Sequence, residues 1–175
     1  FILSLALLLS VSLALPVLAQ QASLYFLPSA GTYTVGTTFS VQLKVNSGGV
    51  AINAADGTII FDPSKLEVIK VSKEDSIFNL WVQEPTFSNS LGTINFAGGK
   101  PSPGFIGPAG TITTITFRVK AAGSTSLTFA SGSVLADDGK GTNILATMGT
   151  ATYNLTAREI ATIPPEREYS PGSSP

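Results

Sequence analysis

The 175-residue sequence has no cysteine and no histidine, one methionine and one tryptophan. These absences remove most side-chain catalysis. Without histidine there is no imidazole general base and no Ser–His–Asp triad. Without cysteine there is no thiolate nucleophile, no disulfide and no Cys/His zinc site. Charge is also scarce: Asp, Glu, Lys and Arg make up 12% of the chain, and the net charge is −1. The ten basic residues are scattered rather than clustered, which argues against a nucleic-acid partner. The fold must rest on its apolar core.

Gly, Ser, Thr and Ala are abundant, and Val, Ile and Phe supply the apolar mass. That is a β-rich composition with slender polar loops. Residues 1–19 differ, being almost wholly apolar. Val17-Leu18-Ala19 has small residues at the positions a signal peptidase reads, so Gln20 is the expected start of a mature chain. The alternative is an uncleaved apolar anchor helix, since the stretch is about long enough to span a bilayer. The usual Met and basic n-region are missing, so a truncated sequence is expected. From Thr156 the pattern stops and the run Ile163-Pro164-Pro165 to Pro175 is rich in Pro and Ser. Residues 156–175 read as a linker to something further, a missing C-terminal anchor included.

Between them, residues 22–155 form one domain with about nine strand-like segments separated by turn residues. Phe39, Val41, Leu43 and Val45 alternate with Ser40, Gln42 and Lys44, as do Thr113, Ile115, Phe117 and Val119 with their neighbours. Thr58–Phe61 and Leu66–Val71 flank a turn at Asp62-Pro63-Ser64-Lys65. Trp81–Phe87 and Thr93–Ala97 pair across residues 88–92, Asp138-Gly139 signals a hairpin, and Asn143–Leu155 closes the set. Ser76–Leu80 reads as a short helical turn. The expected fold class is all-β: an antiparallel two-sheet jelly-roll sandwich, preceded by an apolar leader helix.

Four stretches in order resemble a cohesin domain. They are Thr38–Val45 with Gly48-Gly49; Ile59–Val68, with its aromatic-Asp-Pro turn; Gly92–Phe96; and Gly110–Val119. The resemblance covers about residues 22–155. It implies a jelly roll that binds dockerin modules through one sheet face, built from the family's third, fifth, sixth and eighth strands. Counting back from the Asp-Pro turn, Asp56 falls where the family often has an Asp that bonds the dockerin. Ala54 stands where the family often has Asn. Asn95 and Gly98 stand where relatives place an apolar residue and an acid.

The expected partner-binding residues are therefore Asp56, Asn95, Ala54, Thr93, Ala97 and Gly98. Period two puts Thr93, Asn95 and Ala97 on one face and turns Phe61 inward, opposite Asp56. A bulge at Gly57 would reverse Asp56. Asp56 also has a plain reading as a solvent-facing acid. Asp137 and Asp138, with Asn143, are weak calcium candidates, because the loop lacks the regular spacing of a calcium loop, and a hairpin turn is the favoured reading. Glu67 and Glu84 are the nearest thing to paired glycosidase carboxylates, without supporting context. Tyr25, Trp81, Phe87 and Phe105 are the aromatics that could stack on sugar. Trp81 reads as core, and Phe105, in a Pro/Gly loop, as exposed.

The leading expectation is a secreted or cell-surface binding module that recruits a protein partner, with no catalytic activity, cofactor or metal. The alternatives are a polysaccharide-binding module of related fold and a structural envelope or filament subunit that retains its leader. Any membrane contact would come through the leader or a missing anchor.

Overall fold

The computed structural model describes residues 21–159. The expected leader helix, and all but the first residues of the expected linker, lie outside the described residues. Among the described residues no helix is long and apolar enough to cross a membrane.

Eleven strands follow one another: β1 (Ala22–Leu27), β2 (Ala30–Thr34), β3 (Thr38–Asn46), β4 (Ile52–Ile60), β5 (Leu66–Ser72), β6 (Leu80–Ser88), β7 (Thr93–Gly99), β8 (Gly110–Val119), β9 (Gly123–Ala136), β10 (Leu145–Met148) and β11 (Ala151–Thr156). They form a five-stranded sheet in the order β10-β1-β3-β8-β5 and a six-stranded sheet in the order β2-β11-β9-β4-β7-β6.

The inward residues of both sheets make one core. Phe39, Val41, Leu43 and Val45 of β3 are buried, as are Ile112, Ile115, Phe117 and Val119 of β8 and Ala151, Tyr153 and Leu155 of β11. Each Val, Leu, Ile or Phe side chain among them contributes about 1.5–3 kcal/mol on burial. The rings of Tyr33, Phe39, Phe117 and Phe61 run through the centre in successive contact, with centroid separations of 3.9, 5.6 and 5.6 Å. The turn after β4 forms as its residues dictate. Asp62 Oδ1 accepts from the Ser64 N–H and hydroxyl, and the Ser64 hydrogen bonds hold its carboxyl below the usual range.

Four expectations are corrected. The sandwich is mixed rather than wholly antiparallel, since β1 pairs with β10, and β2 with β11, in parallel. Among the described residues, the first two strands thus lie beside the last two, β1 next to β10 in one sheet and β2 next to β11 in the other. Second, the strand count is higher. The Gly/Thr-rich β2 carries no strong β signal, and the single closing segment Asn143–Leu155 is divided into β10 and β11. Third, Ser76–Leu80 is not helical. Ser76 N–H bonds Lys73 O, and Asn79 N–H bonds Gly99 O at the end of β7. Fourth, Phe105 is partly buried against the core, and its backbone pairs with Ile52.

Candidate docking face

After Ile52, β4 in the middle of the six-stranded sheet continues with Asn53-Ala54-Ala55-Asp56-Gly57, residues with little intrinsic preference for a strand. Its neighbours hold it there. It pairs with β7 without interruption from Ala54 to Ile60 and with β9 on its other side. The irregularities against β9 fall between Ile52 and Ala54 and between Thr58 and Ile59, so no bulge at Gly57 reverses Asp56. A side chain at Gly57 would meet the Ser131 carbonyl at 2.9 Å and the Phe96 ring at 3.1 Å, so this position requires glycine. Asp56 is exposed, whereas Ile59 and Phe61 are buried.

The strand registers set the outward residues of β9, β4, β7 and β6 in four cross-strand rows. The first is Leu135–Ala54–Gly99–Leu80, and the second is Ser133–Asp56–Ala97–Gln83. The third is Ser131–Thr58–Asn95–Thr86, and the fourth is Thr128–Ile60–Thr93–Ser88. Rows two residues apart lie about 7 Å from one another, and four strands span about 14 Å. The first row is apolar and small. With Val82 and Pro101, and with Asn53 and Lys100 at its polar side, it lines an open and mainly apolar depression of about 450 Å³, beside which Leu80 is 57% and Val82 95% exposed. The second and third rows are polar. Asp56 is the one charged side chain in the four rows.

The polar centre has defined donors and acceptors. The Ser133 hydroxyl donates to Asp56 Oδ1. The other carboxylate oxygen, Oδ2, has no side-chain partner among the described residues. The Thr58 hydroxyl donates to Asn95 Oδ1 at 2.8 Å, which leaves the Asn95 amide N–H groups without a side-chain partner among the described residues. The face therefore offers a partner one acceptor and one donor on adjacent strands, beside an apolar trough.

Of the six residues expected here from the sequence, Ala54, Asp56, Thr93, Asn95 and Ala97 share this outer face. Gly98 is on the inward parity of β7, where a side chain would meet the Trp81 ring at 2.8 Å, and it reaches the face only as part of the lining of the depression. Sequence reading missed Leu80, Val82, Ser133 and Leu135. Extra residues in β6 break its alternation between Trp81 and Gln83 and again before Thr86, so its outward set does not follow period two.

The remaining candidates are engaged elsewhere. Asp138 accepts from the Thr142 hydroxyl and the Lys140 N–H, which hold its carboxyl below the usual range and close the turn after β9. No group of three or more His, Cys, Asp or Glu among the described residues is placed to hold a metal, so Asp137 and Asp138 gain no further ligand of that kind. Glu67 pairs with Arg118 and Glu84 with Lys73, on different strands. Trp81 packs edge-on to Phe78 and lies under the Lys73 ammonium. Tyr25 is on the other sheet, with its hydroxyl bonded to Pro108 O. Among the described residues, Phe87 is the one aromatic ranked with the exposed large hydrophobics, whereas sugar stacking calls for two or three coplanar rings.

The family model of the cohesin domain matches residues 26–153. The chain belongs to the cohesin domain family. Solved cohesins share its fold at low identity. One, from a type I cohesin–dockerin complex of Clostridium thermocellum, is 18% identical with a TM-score of 0.62, covering 77% of this chain and 94% of that one. The seventh ScaB type I cohesin of Pseudobacteroides cellulosolvens is 24% identical with a TM-score of 0.62, covering 86% and 99%. A non-cellulosomal cohesin from the archaeon Archaeoglobus fulgidus is 16% identical with a TM-score of 0.62, covering 78% and 91%. No curated protein sequence matches.

Proposed function

We propose that this cohesin is a non-catalytic receptor module, displayed outside the cell, that docks a helical protein partner of the dockerin kind. The docking surface is the outer face of β9, β4, β7 and β6, and residues 22–155 are the binding domain. The observation that carries this reading is the graded face itself. An apolar trough at Leu80, Ala54 and Leu135 lies beside the Asp56 acceptor and the Asn95 donor, in consecutive rows. A helix about 10–12 Å across covers two such rows. Laid flat, it seats apolar residues in the trough and offers a Ser or Thr hydroxyl to Asp56. Several similar cohesins are described in complexes with dockerins, which favours that class of partner. Export follows from the apolar leader.

The test is capture of partners from the producing organism, followed by Asp56→Ala and Asn95→Arg variants. Loss of a charge-assisted hydrogen bond at Asp56 lowers affinity about tenfold or more. Unchanged binding by both variants would remove this face from consideration and point to the loop between β7 and β8.

A further inference from the structure

The six-stranded sheet has a second outer region, on β2, β11 and the first half of β9. Its outward residues are Thr32, Thr34, Thr152, Thr156, Ser124 and Ser126, with Asn154 among them. None is charged and none is large. Asn154-Leu155-Thr156 is the one Asn-X-Ser/Thr triplet in the sequence. Asn46, Asn53, Asn79, Asn89, Asn95 and Asn143 all lack a hydroxyl residue two positions on. In β11 the alternation buries Tyr153 and Leu155 and exposes both Asn154 and Thr156. Directly across from Asn154 are Ser124 on β9 and Thr32 on β2, two short side chains that leave its amide clear.

We propose that Asn154 is an acceptor for N-linked glycosylation, modified during export. The donor class is a lipid-pyrophosphate-linked oligosaccharide, and the enzyme is an oligosaccharyltransferase acting on the triplet. The bond from the anomeric carbon to the phosphate oxygen breaks, and a bond from that carbon to Asn154 Nδ2 forms. The lipid pyrophosphate leaves with the electron pair, and the amide loses one proton to a base of the transferase.

The fold sets the timing. Thr156 Oγ1, the hydroxyl that the transferase reads, is 3.2 Å from Thr34 Oγ1 and 3.4 Å from Tyr33 O. The backbone of β11 is held between β2 and β9. In the folded domain the triplet is therefore locked in a ladder. β11 is made after the other ten described strands, and its pairing with β2 joins residues 122 apart. Such long-range closure is slow, which leaves the triplet open after it emerges. Once folded, the outward amide carries a glycan over the uncharged Ser/Thr surface without disturbing the ladder. That surface meets β9 at Ser124 and Ser126, clear of the rows that begin at Thr128.

The test is peptide mass spectrometry of the exported protein from its own organism, read on the tryptic peptide 141–158. The expected result is a glycan mass on Asn154, lost in Asn154→Gln and Thr156→Ala and kept in Thr156→Ser. An unmodified peptide in the exported protein would overturn the proposal. A second arm offers the refolded and the denatured chain to an oligosaccharyltransferase with a lipid-linked donor. Acceptance by the denatured chain alone is expected, and equal acceptance by the folded chain would overturn the timing.

Discussion

The outer faces of the two sheets are built from similar residue types and are finished differently. On the five-stranded sheet the charged side chains of β3 and β8 are engaged by their neighbours. Lys44 Nζ bonds Thr111 Oγ1 at 2.8 Å and Ala109 O at 3.3 Å, Ser40 and Thr116 share a hydrogen bond, and Arg118 pairs with Glu67. On the six-stranded sheet, β9, β4, β7 and β6 leave Asp56 Oδ2 and the Asn95 amide open beside an apolar depression. A face whose long charged side chains fold back on its own backbone is a finished surface. A face of Ala, Gly, Ser and Thr around one carboxylate is flat, cheap to desolvate and still able to hydrogen-bond. The contrast lies in side-chain length and pairing, not in hydrophobicity alone.

The largest expected effect would break that comparison if it failed. Asn95→Arg places a long cation in the third row, and the expected loss of partner affinity is more than about 100-fold, or about 2.7 kcal/mol. Gln42→Arg, at the matching depth of the other sheet, is expected to change affinity by less than about twofold, as surface substitutions outside an interface do. Titration of both variants against the captured partner gives the ratio. Equal losses would mean that both faces bind or that neither variant reports on docking.

Much of the fold was legible in the sequence because clean alternation is a strong signal. β3 and β11 bury every second residue, as does β8 from Thr113 to Val119, and Asp62-Pro63 makes the turn its side chain calls for. The site was legible in part. Asp56 and Asn95 were reachable because β4 and β7 pair without interruption between them. Leu80 and Val82 were not, because inserted residues in β6 shift its parity twice and only the partner strand reveals this. The parallel pairings escaped for a similar reason. They join the first and last strands of the described residues, and nothing within β1, β2, β10 or β11 encodes the neighbour.

The same distinction between engaged and open polar groups recurs in the core, where β9 and β11 place Thr125 opposite Tyr153. Tyr153 is fully buried and its hydroxyl donates to Pro28 O at 2.7 Å. Burial, with Tyr33 nearby, pushes its pKa far above the ordinary tyrosine value of 10.0. A raised pKa contributes stability below the unfolded value and loses it as pH climbs, because only the unfolded chain releases the proton. Stability is thus expected to fall above about pH 10. Tyr153→Phe leaves the Pro28 carbonyl unpaired and costs about 1–2 kcal/mol at neutral pH. Its alkaline loss is also shallower. Chemical unfolding from pH 7 to 11 measures both, and an unchanged alkaline limb would count against Tyr153 as its source.

The smallest effect tests the opposite member of that pair. Thr125 is 5% exposed, and its hydroxyl is the one buried side-chain polar atom among the described residues with no hydrogen-bond partner. Leaving a buried hydroxyl unpaired costs about 1–3 kcal/mol, whereas an apolar group of the same shape avoids that cost. Valine has that shape, suits a strand and places a methyl where the hydroxyl sits. Thr125→Val is therefore expected to raise stability by about 1 kcal/mol, seen as a higher denaturant midpoint with an unchanged slope. Thr125→Ser keeps the unpaired hydroxyl and removes a methyl, so it should lower the midpoint. The two substitutions moving in opposite directions would show that the orphan oxygen, rather than packing volume, sets the cost at this position. A loss of stability in the valine variant would mean that the hydroxyl has a partner, such as an ordered water, and that the inner surface of β9 is as fully satisfied as its neighbour on β11.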